Sequence, residues 1–134
     1  MKGQVGFEYL IVVGMVVLFL IPVWAYMTSV NNQASHTLYI SQAEVASKKI
    51  ISASDLVYTQ GEPAQVTVDI YFPKGIQQSD IFNNTIRLRL YGNAGGVTDV
   101  AATSLGNMSG SLPRQEGLYK FVIKAVGNYV NISY

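Results

Sequence analysis

An uncharged apolar segment near the start of the chain most constrains what this sequence can fold into. No charged side chain occurs from Tyr9 to Met27, and Glu8 stands directly before the segment. As an α-helix with a rise of 1.5 Å per residue, the segment extends over about 28 Å, close to the roughly 30 Å thickness of a bilayer core. It therefore predicts a helix that spans a membrane or packs against other apolar helices.

The flanks of this segment do not fit a secretory signal peptide. Residues 1–3 supply a single Lys, and bulky residues follow where a small-residue cleavage pattern would stand. Lys2 favours a cytoplasmic N-terminus by the positive-inside rule. Trp24 and Tyr26, at the other end, are typical of a membrane interface, which predicts that the remainder of the chain lies outside.

The helix is predicted to continue well beyond the apolar segment, over about residues 5–57. Between Val30 and Val57 there is no Pro or Gly, and small or apolar residues recur at intervals of three and four, on one face. This stripe consists of Tyr39, Ala43, Ala46, Ile50, Ala53 and Val57, and the polar face of Ser41, Gln42, Ser47, Lys48 and Lys49. Pro22 is expected to kink the helix because it lacks an N–H, and Gly14 is a second weak point.

After residue 57 the hydrophobic period changes from 3.6 to 2, which predicts antiparallel strands with one buried face. The predicted strands are Val66–Phe72, Ile86–Leu90, Tyr119–Ala125 and Val130–Ile132, with a weaker one at Val97–Ser104. The predicted turns between them are Pro73–Gly75, Asn93–Gly96, Gly106–Gly110 and Gly127–Asn128. About five or six strands predict an α+β chain, in which helix residues 28–57 pack on a small antiparallel β-sandwich-like head, residues 58–134.

The composition gives no support to catalysis or to a cofactor. The chain has no Cys and one histidine, His36, so it offers neither a thiol nucleophile nor a zinc-type ligand set. We interpret His36 as a solvated or subunit-contacting side chain. The carboxylates of the head lack the spacing of a paired acid and base, so we expect no enzyme; a calcium site among loop oxygens is the metal alternative left open. With a net charge of +1, no nucleic-acid partner is expected.

The segment Lys2–Tyr9 (Lys-Gly-Gln-Val-Gly-Phe-Glu-Tyr) resembles the class III signal peptide of archaeal type IV pilin-like proteins. In that family a short basic leader ends in Gly, the mature chain begins with Gln, and its fifth residue is Glu. The resemblance implies that residues 1–3 form a leader and that a prepilin peptidase cleaves between Gly3 and Gln4. Glu8 is then the fifth residue of the mature chain.

The resemblance also implies a type IV pilin-like fold and a role for Glu8 in subunit registration. Cleavage would create an α-amino group at Gln4, and this amine of one subunit would meet Glu8 of a neighbour. In a packed helical core of low dielectric, the pairing of the two charges would set the axial register. Gly6 and Tyr9 depart from the usual Ser and Phe of the family but keep the character of the site.

By this resemblance the chain is a structural subunit of an extracellular archaeal pilus-like filament for surface or cell–cell adhesion. Residues 4–57 would form its stalk, with residues 9–27 in the cytoplasmic membrane of the precursor and later in the filament core. The implied partners are further copies of the chain, other pilins, the prepilin peptidase, a pilus assembly ATPase and its membrane platform protein. One alternative is an archaellin-like motility subunit, against which Glu8 argues because archaellins usually lack it; another is an uncleaved, membrane-anchored binding domain.

Three Asn-x-Ser/Thr sequons occur in the predicted head, at Asn83, Asn107 and Asn131. They fall at predicted turns or at an outward strand position, where an N-glycan acceptor must lie. We therefore treat the three asparagines as candidate N-glycosylation sites of an extracellular head. The alternative is that they are ordinary turn and edge asparagines.

Overall fold

The computed structural model describes residues 2–92 and 95–134, with side chains from Gln4 onward. The chain divides into two compact units, an N-terminal unit that ends at Ser35 and a unit comprising His36–Tyr134, here called the head unit. The predicted turn Asn93–Gly96 lies partly outside the described residues.

Helix α1 runs from Lys2 to Gln60 and so extends three residues beyond the predicted range at each end. Gly61 ends it, with a φ of 71°, a left-handed conformation that glycine adopts without steric cost. The Gly61 N–H donates to the carbonyl of Val57 at 3.0 Å, which is the bond of an αL cap. Pro22 lies inside the helix, and the kink expected there stays a prediction.

The predicted apolar stripe is the face of α1 that packs in the head unit. Its alanines and Ile50 and Val57 are buried, and Tyr39 is half-buried against them. Ser47 was assigned to the polar face, and this is wrong: it lies one turn after Ala43 and is fully buried. The side chains of residues 28–34 are exposed, and their predicted packing on the head stays a prediction.

Strands form two sheets in the described part of the head unit. Their bounds are β1 Gln65–Phe72, β2 Ile76–Phe82, β3 Thr85–Tyr91, β4 Val97–Thr103, β5 Asn107–Gly110, β6 Gly117–Val126 and β7 Tyr129–Ser133. The four-stranded sheet has the order β1-β6-β7-β5, and the three-stranded sheet has the order β2-β3-β4. All neighbours are antiparallel except β5 and β7, which are parallel.

Two strands were missed by the sequence pattern. β2 carries a register shift between Ile76 and Gln78, and this bulge breaks the alternation that marks a strand. β5 was predicted as the turn Gly106–Gly110, and this is wrong, because its four residues pair with β7 along their whole length. Of these only Met108 has a buried side chain, so the segment lacks a hydrophobic pattern of its own.

Both sheets and the packed face of α1 share one hydrophobic core, which confirms the predicted α+β architecture. Phe72 of β1 and Phe121 of β6 are fully buried there, and their rings stack with centroids 5.5 Å apart. Leu88 of β3 and Ile50 of α1 contribute to the same core from the other two layers. The head is therefore a small two-sheet domain closed by the C-terminal part of the helix.

Candidate functional site

The N-terminal part of α1 presents apolar side chains on every face. Each side chain from Gln4 to Ala34 is exposed, including Phe7 at 66% and Trp24 at 73% of its full surface. We call residues 9–27 of α1 the apolar helix surface. By length and composition this helix is able to cross a membrane. Exposed apolar patches that cover a whole helix are rare on soluble monomers and are typical of membrane or protein–protein contact.

Glu8 stands at the edge of the apolar helix surface, with its side chain exposed. Gln4 lies four residues earlier and therefore on the same face of the helix, one turn away. Gly3 lies in the first turn of α1. Within residues 4–92 and 95–134, Glu8 takes part in none of the three ion pairs, so its carboxylate is available to a group from outside the chain.

Gly14 and Pro22 are the two residues of the apolar helix surface that were expected to weaken the helix. A Cβ atom built on Gly14 meets nothing within 4 Å, so its lack of a side chain is not required by contacts within this chain. Pro22 has no N–H, which leaves the carbonyl of Leu18 without its usual helical donor. Both sites therefore offer room or hydrogen-bonding capacity to a neighbouring helix.

His36 makes a contact that the sequence did not indicate. Its Nε2 lies 3.0 Å from the carbonyl oxygen of Tyr91, at the end of β3. Because a carbonyl only accepts, Nε2 carries the proton in this contact. The imidazole therefore connects the start of the head unit to the end of β3, a contact that the interpretation of His36 as solvated or subunit-contacting did not include.

A groove between α1 and strand β1 is a second exposed apolar surface. Its volume is about 690 Å³, and the apolar residues that line it include Val45 and Leu56 of the helix and Val66 and Val68 of the strand. β1 is one of the two edge strands of the four-stranded sheet, so the groove lies at an edge of that sheet. The sequence analysis missed this groove because Val45 and Leu56 lie off the main apolar stripe. Together with Lys49 and Ser52 they recur at intervals of four, three and four residues, and this second helical stripe was the available signal.

The outer face of the three-stranded sheet combines ion pairs with exposed aromatic rings. Arg89 donates to both carboxylate oxygens of Asp99, at 2.7 and 2.9 Å, and this pairing lowers the pKa of Asp99 and raises that of Arg89. Arg87 pairs with Asp80 at 3.3 Å and lies 5.0 Å from the centre of the Phe82 ring. This face therefore presents charge and aromatic surface together.

The three sequon asparagines are all exposed in the head unit. Asn83 lies in the two-residue turn between β2 and β3, with a φ of 51°. Asn107 begins β5 and Asn131 is the middle residue of β7. Among the described residues no group of three or more His, Cys, Asp or Glu side chains is placed to hold a metal ion.

Comparison of the chain with protein-family models, with curated proteins and with solved structures finds no match. The apolar helix surface with Glu8 at its edge is the feature of this molecule that most narrows its function.

Proposed function

We propose that this chain is a structural subunit of an extracellular archaeal type IV pilus-like filament, assembled through its apolar helix. The observation that carries the proposal is the exposure of residues 9–27 around the whole circumference of α1. Helix–helix packing in a filament would cover this surface as lipid does before assembly. The resemblance of the segment Lys2–Tyr9 to class III signal peptides supports the filament over a permanent membrane anchor.

Processing before Gln4 is the first step of the proposal. A prepilin peptidase removes residues 1–3 on the cytoplasmic side, and the helix stays intact in the membrane. The new amine carries a positive charge at neutral pH when solvated, and Glu8 on the same helix is exposed to neighbouring chains. In the assembled core, each Glu8 carboxylate pairs with the amine of a neighbouring subunit.

The pairing supplies registration because an isolated charge in an apolar core is strongly unfavourable. A carboxylate that is buried without its partner costs several kcal/mol, so helices that slide out of register are disfavoured. The pilus assembly ATPase and its membrane platform protein act on the cleaved subunit. The head unit then covers the outside of the filament, where its exposed Phe82 and Tyr91 support a role in adhesion.

The test is mass spectrometry of the protein in fibres sheared from the surface of the cells that make it. We expect a chain that begins at Gln4 and sediments with the fibres. A chain that begins at Met1 or Lys2 and is found only in detergent-soluble membranes would refute the filament and favour a membrane-anchored surface domain. Loss of swimming, with attachment unchanged, on deletion of the gene would favour the archaellin-like alternative.

A further inference from the structure

The fold brings the three sequons of the head unit to one place. β5 and β7 pair in parallel, with Asn107 opposite Tyr129 and Ser109 opposite Asn131. Paired residues of adjacent strands point to the same face of a sheet, so Asn107 and Asn131 are diagonal neighbours on the outer face. Adjacent strands lie about 4.8 Å apart and rise about 3.3 Å per residue, so such positions are roughly 8 Å apart.

Asn83 joins this pair from the other sheet. The carbonyl of Asn83 accepts a hydrogen bond from the backbone N–H of Met108, the residue directly after Asn107. The turn between β2 and β3 therefore lies against the start of β5. Asn83 and Asn107 are separated in sequence but adjacent in the fold.

The side chains at this place are free to be modified. The three asparagines are exposed, whereas Met108, directly after Asn107, and Val130, directly before Asn131, are buried in the core. No hydrogen bond to the side-chain amide of any of the three is present in the part of the chain that the structure describes. A sugar on each amide nitrogen would therefore extend into solvent without displacing a contact of the fold.

We propose that Asn83, Asn107 and Asn131 form one N-glycan acceptor patch, here called the sequon patch. The donor is a polyprenyl-phosphate-linked oligosaccharide. In the transfer, a bond forms between the amide nitrogen and the anomeric carbon while the bond from that carbon to the phosphate oxygen breaks. The lipid phosphate leaves with the electron pair, and the amide nitrogen loses one proton to the transferase.

The sequon patch and the β1 groove lie at opposite edges of the four-stranded sheet, because β5 and β1 are its two outermost strands. Sugars on the patch therefore leave the groove uncovered. The head unit has one glycan-bearing edge and one apolar edge that is open to protein contact. The inference rests on the proposed function only for the extracellular location of the head unit.

The first experiment is glycopeptide mass spectrometry on the protein purified from the cells that naturally make it. We expect added sugar mass on the peptides that contain Asn83, Asn107 and Asn131, and loss of one glycan mass for each Asn→Gln variant. Thr85→Ser should keep the modification at Asn83 and Thr85→Ala should abolish it. Asn128→Gln is the matched control, since Asn128 is exposed in the same unit but begins no sequon.

A second experiment tests whether the three sites form a single patch. Tyr129 stands opposite Asn107 and is 42% exposed, so glycans there should slow its nitration by tetranitromethane. The triple Asn→Gln variant should restore fast nitration of Tyr129. Tyr91, 64% exposed on the outer face of the other sheet, is the control and should react equally in both proteins.

Bare asparagines at all three sequons would overturn the inference, as would nitration of Tyr129 at the same rate with and without the sugars. The same spectra separate this inference from the filament proposal. Glycans on a chain that still begins at Lys2 would keep the sequon patch and reject processing. A chain that begins at Gln4 with three unmodified asparagines would support processing and reject the sequon patch.

Discussion

The carboxylate of Asp55 accepts a hydrogen bond from the hydroxyl of Ser104 at 2.5 Å, across 49 residues of sequence. The same oxygen accepts a second bond, from the backbone N–H of Leu105 at 2.9 Å. Ser104 is buried, and Asp55 is partly so. The two bonds attach the loop between β4 and β5 to the last turns of α1.

Substitution of Asp55 should destabilise the head unit. Asp55→Ala leaves the Ser104 hydroxyl and the Leu105 N–H without their acceptor, and we expect a loss of about 1–3 kcal/mol in the free energy of unfolding. Asp55→Asn keeps an oxygen acceptor and should lose less. The measurement is denaturant unfolding of the full chain in detergent, followed by near-ultraviolet circular dichroism of the head tyrosines. Equal losses in the two variants would show that the hydrogen bonds do not carry the effect.

Gly106 in the same loop should not tolerate a side chain. A Cβ atom at this position would overlap the ring of Tyr58, so Gly106→Ala should cost about 1–3 kcal/mol of stability through overpacking. Tyr58→Leu combined with Gly106→Ala should recover part of this loss. Gly14→Ala is the control, since a Cβ atom there meets nothing within 4 Å. The same unfolding measurement decides, and an unchanged midpoint for Gly106→Ala would contradict the prediction.

Ser54 should be replaceable with a gain in stability. Its hydroxyl is buried in the core face of α1 and has no hydrogen-bond partner in the part of the chain that the structure describes. Ser54→Ala removes this unsatisfied group and should stabilise the head unit by about 1 kcal/mol. Ser79→Ala is the opposite control, because the Ser79 hydroxyl donates to the carbonyl of Leu112 at 3.1 Å. A melting temperature that falls in both variants would refute the prediction for Ser54.

The contact between Tyr71 and Glu116 should make stability depend on alkaline pH. The Tyr71 phenol donates to a Glu116 carboxylate oxygen at 2.6 Å, and this bond, with lost solvation and the Glu116 charge, raises the pKa of Tyr71 above 10.0. Because the folded state holds this proton more tightly, the contact stabilises below the ordinary pKa and its contribution is lost as the pH rises through the raised value. Stability of the chain and of Tyr71→Phe, measured from neutral to strongly alkaline pH, tests this. Identical pH profiles would contradict it.

Glu8→Gln tests the registration role within the proposed function. The variant keeps the shape of the side chain but carries no charge to balance the amine of a neighbour, so cleavage before Gln4 should continue while the yield of sheared fibres falls at least tenfold. That factor corresponds to about 1.4 kcal/mol, well within the cost of an unpaired buried charge. Glu44→Gln is the matched control, since Glu44 lies exposed on the same helix in a weak surface pair with Lys48. A normal fibre yield from Glu8→Gln would show that Glu8 is not needed for subunit registration.

The parts of the fold that the sequence predicted are those with a local hydrophobic period. The stripe that contains Ile50 and the alternation in β3 are visible because each element buries one face of its own. β5 could not be predicted, because its pairing depends on β7, which lies about twenty residues further along the chain. The bulge after Ile76 hid β2 for a related reason, since a shift in register is set by the partner strand.

The candidate site also has one part that the sequence predicts and other parts that depend on contacts between distant residues. Glu8 and the apolar helix surface are consecutive in sequence, so their relationship could be predicted from the order of the residues alone. The β1 groove needs α1 and β1 side by side, and the convergence of Asn83 with Asn107 needs contact between the two sheets. The bond from His36 to Tyr91 likewise joins residues far apart in the chain and has no local pattern.

The absence of charge along the apolar helix surface also bears on the salt tolerance of the proposed assembly. From Tyr9 to Ala43 the helix carries no Asp, Glu, Lys or Arg, and the proposed Glu8–amine pair at its edge is buried in the core, where salt screens a charge pair far less than at a surface. Strongly hydrated salts such as sulfate favour the burial of apolar surface instead. A filament built on this helix should therefore stay assembled in concentrated brine and come apart in detergent.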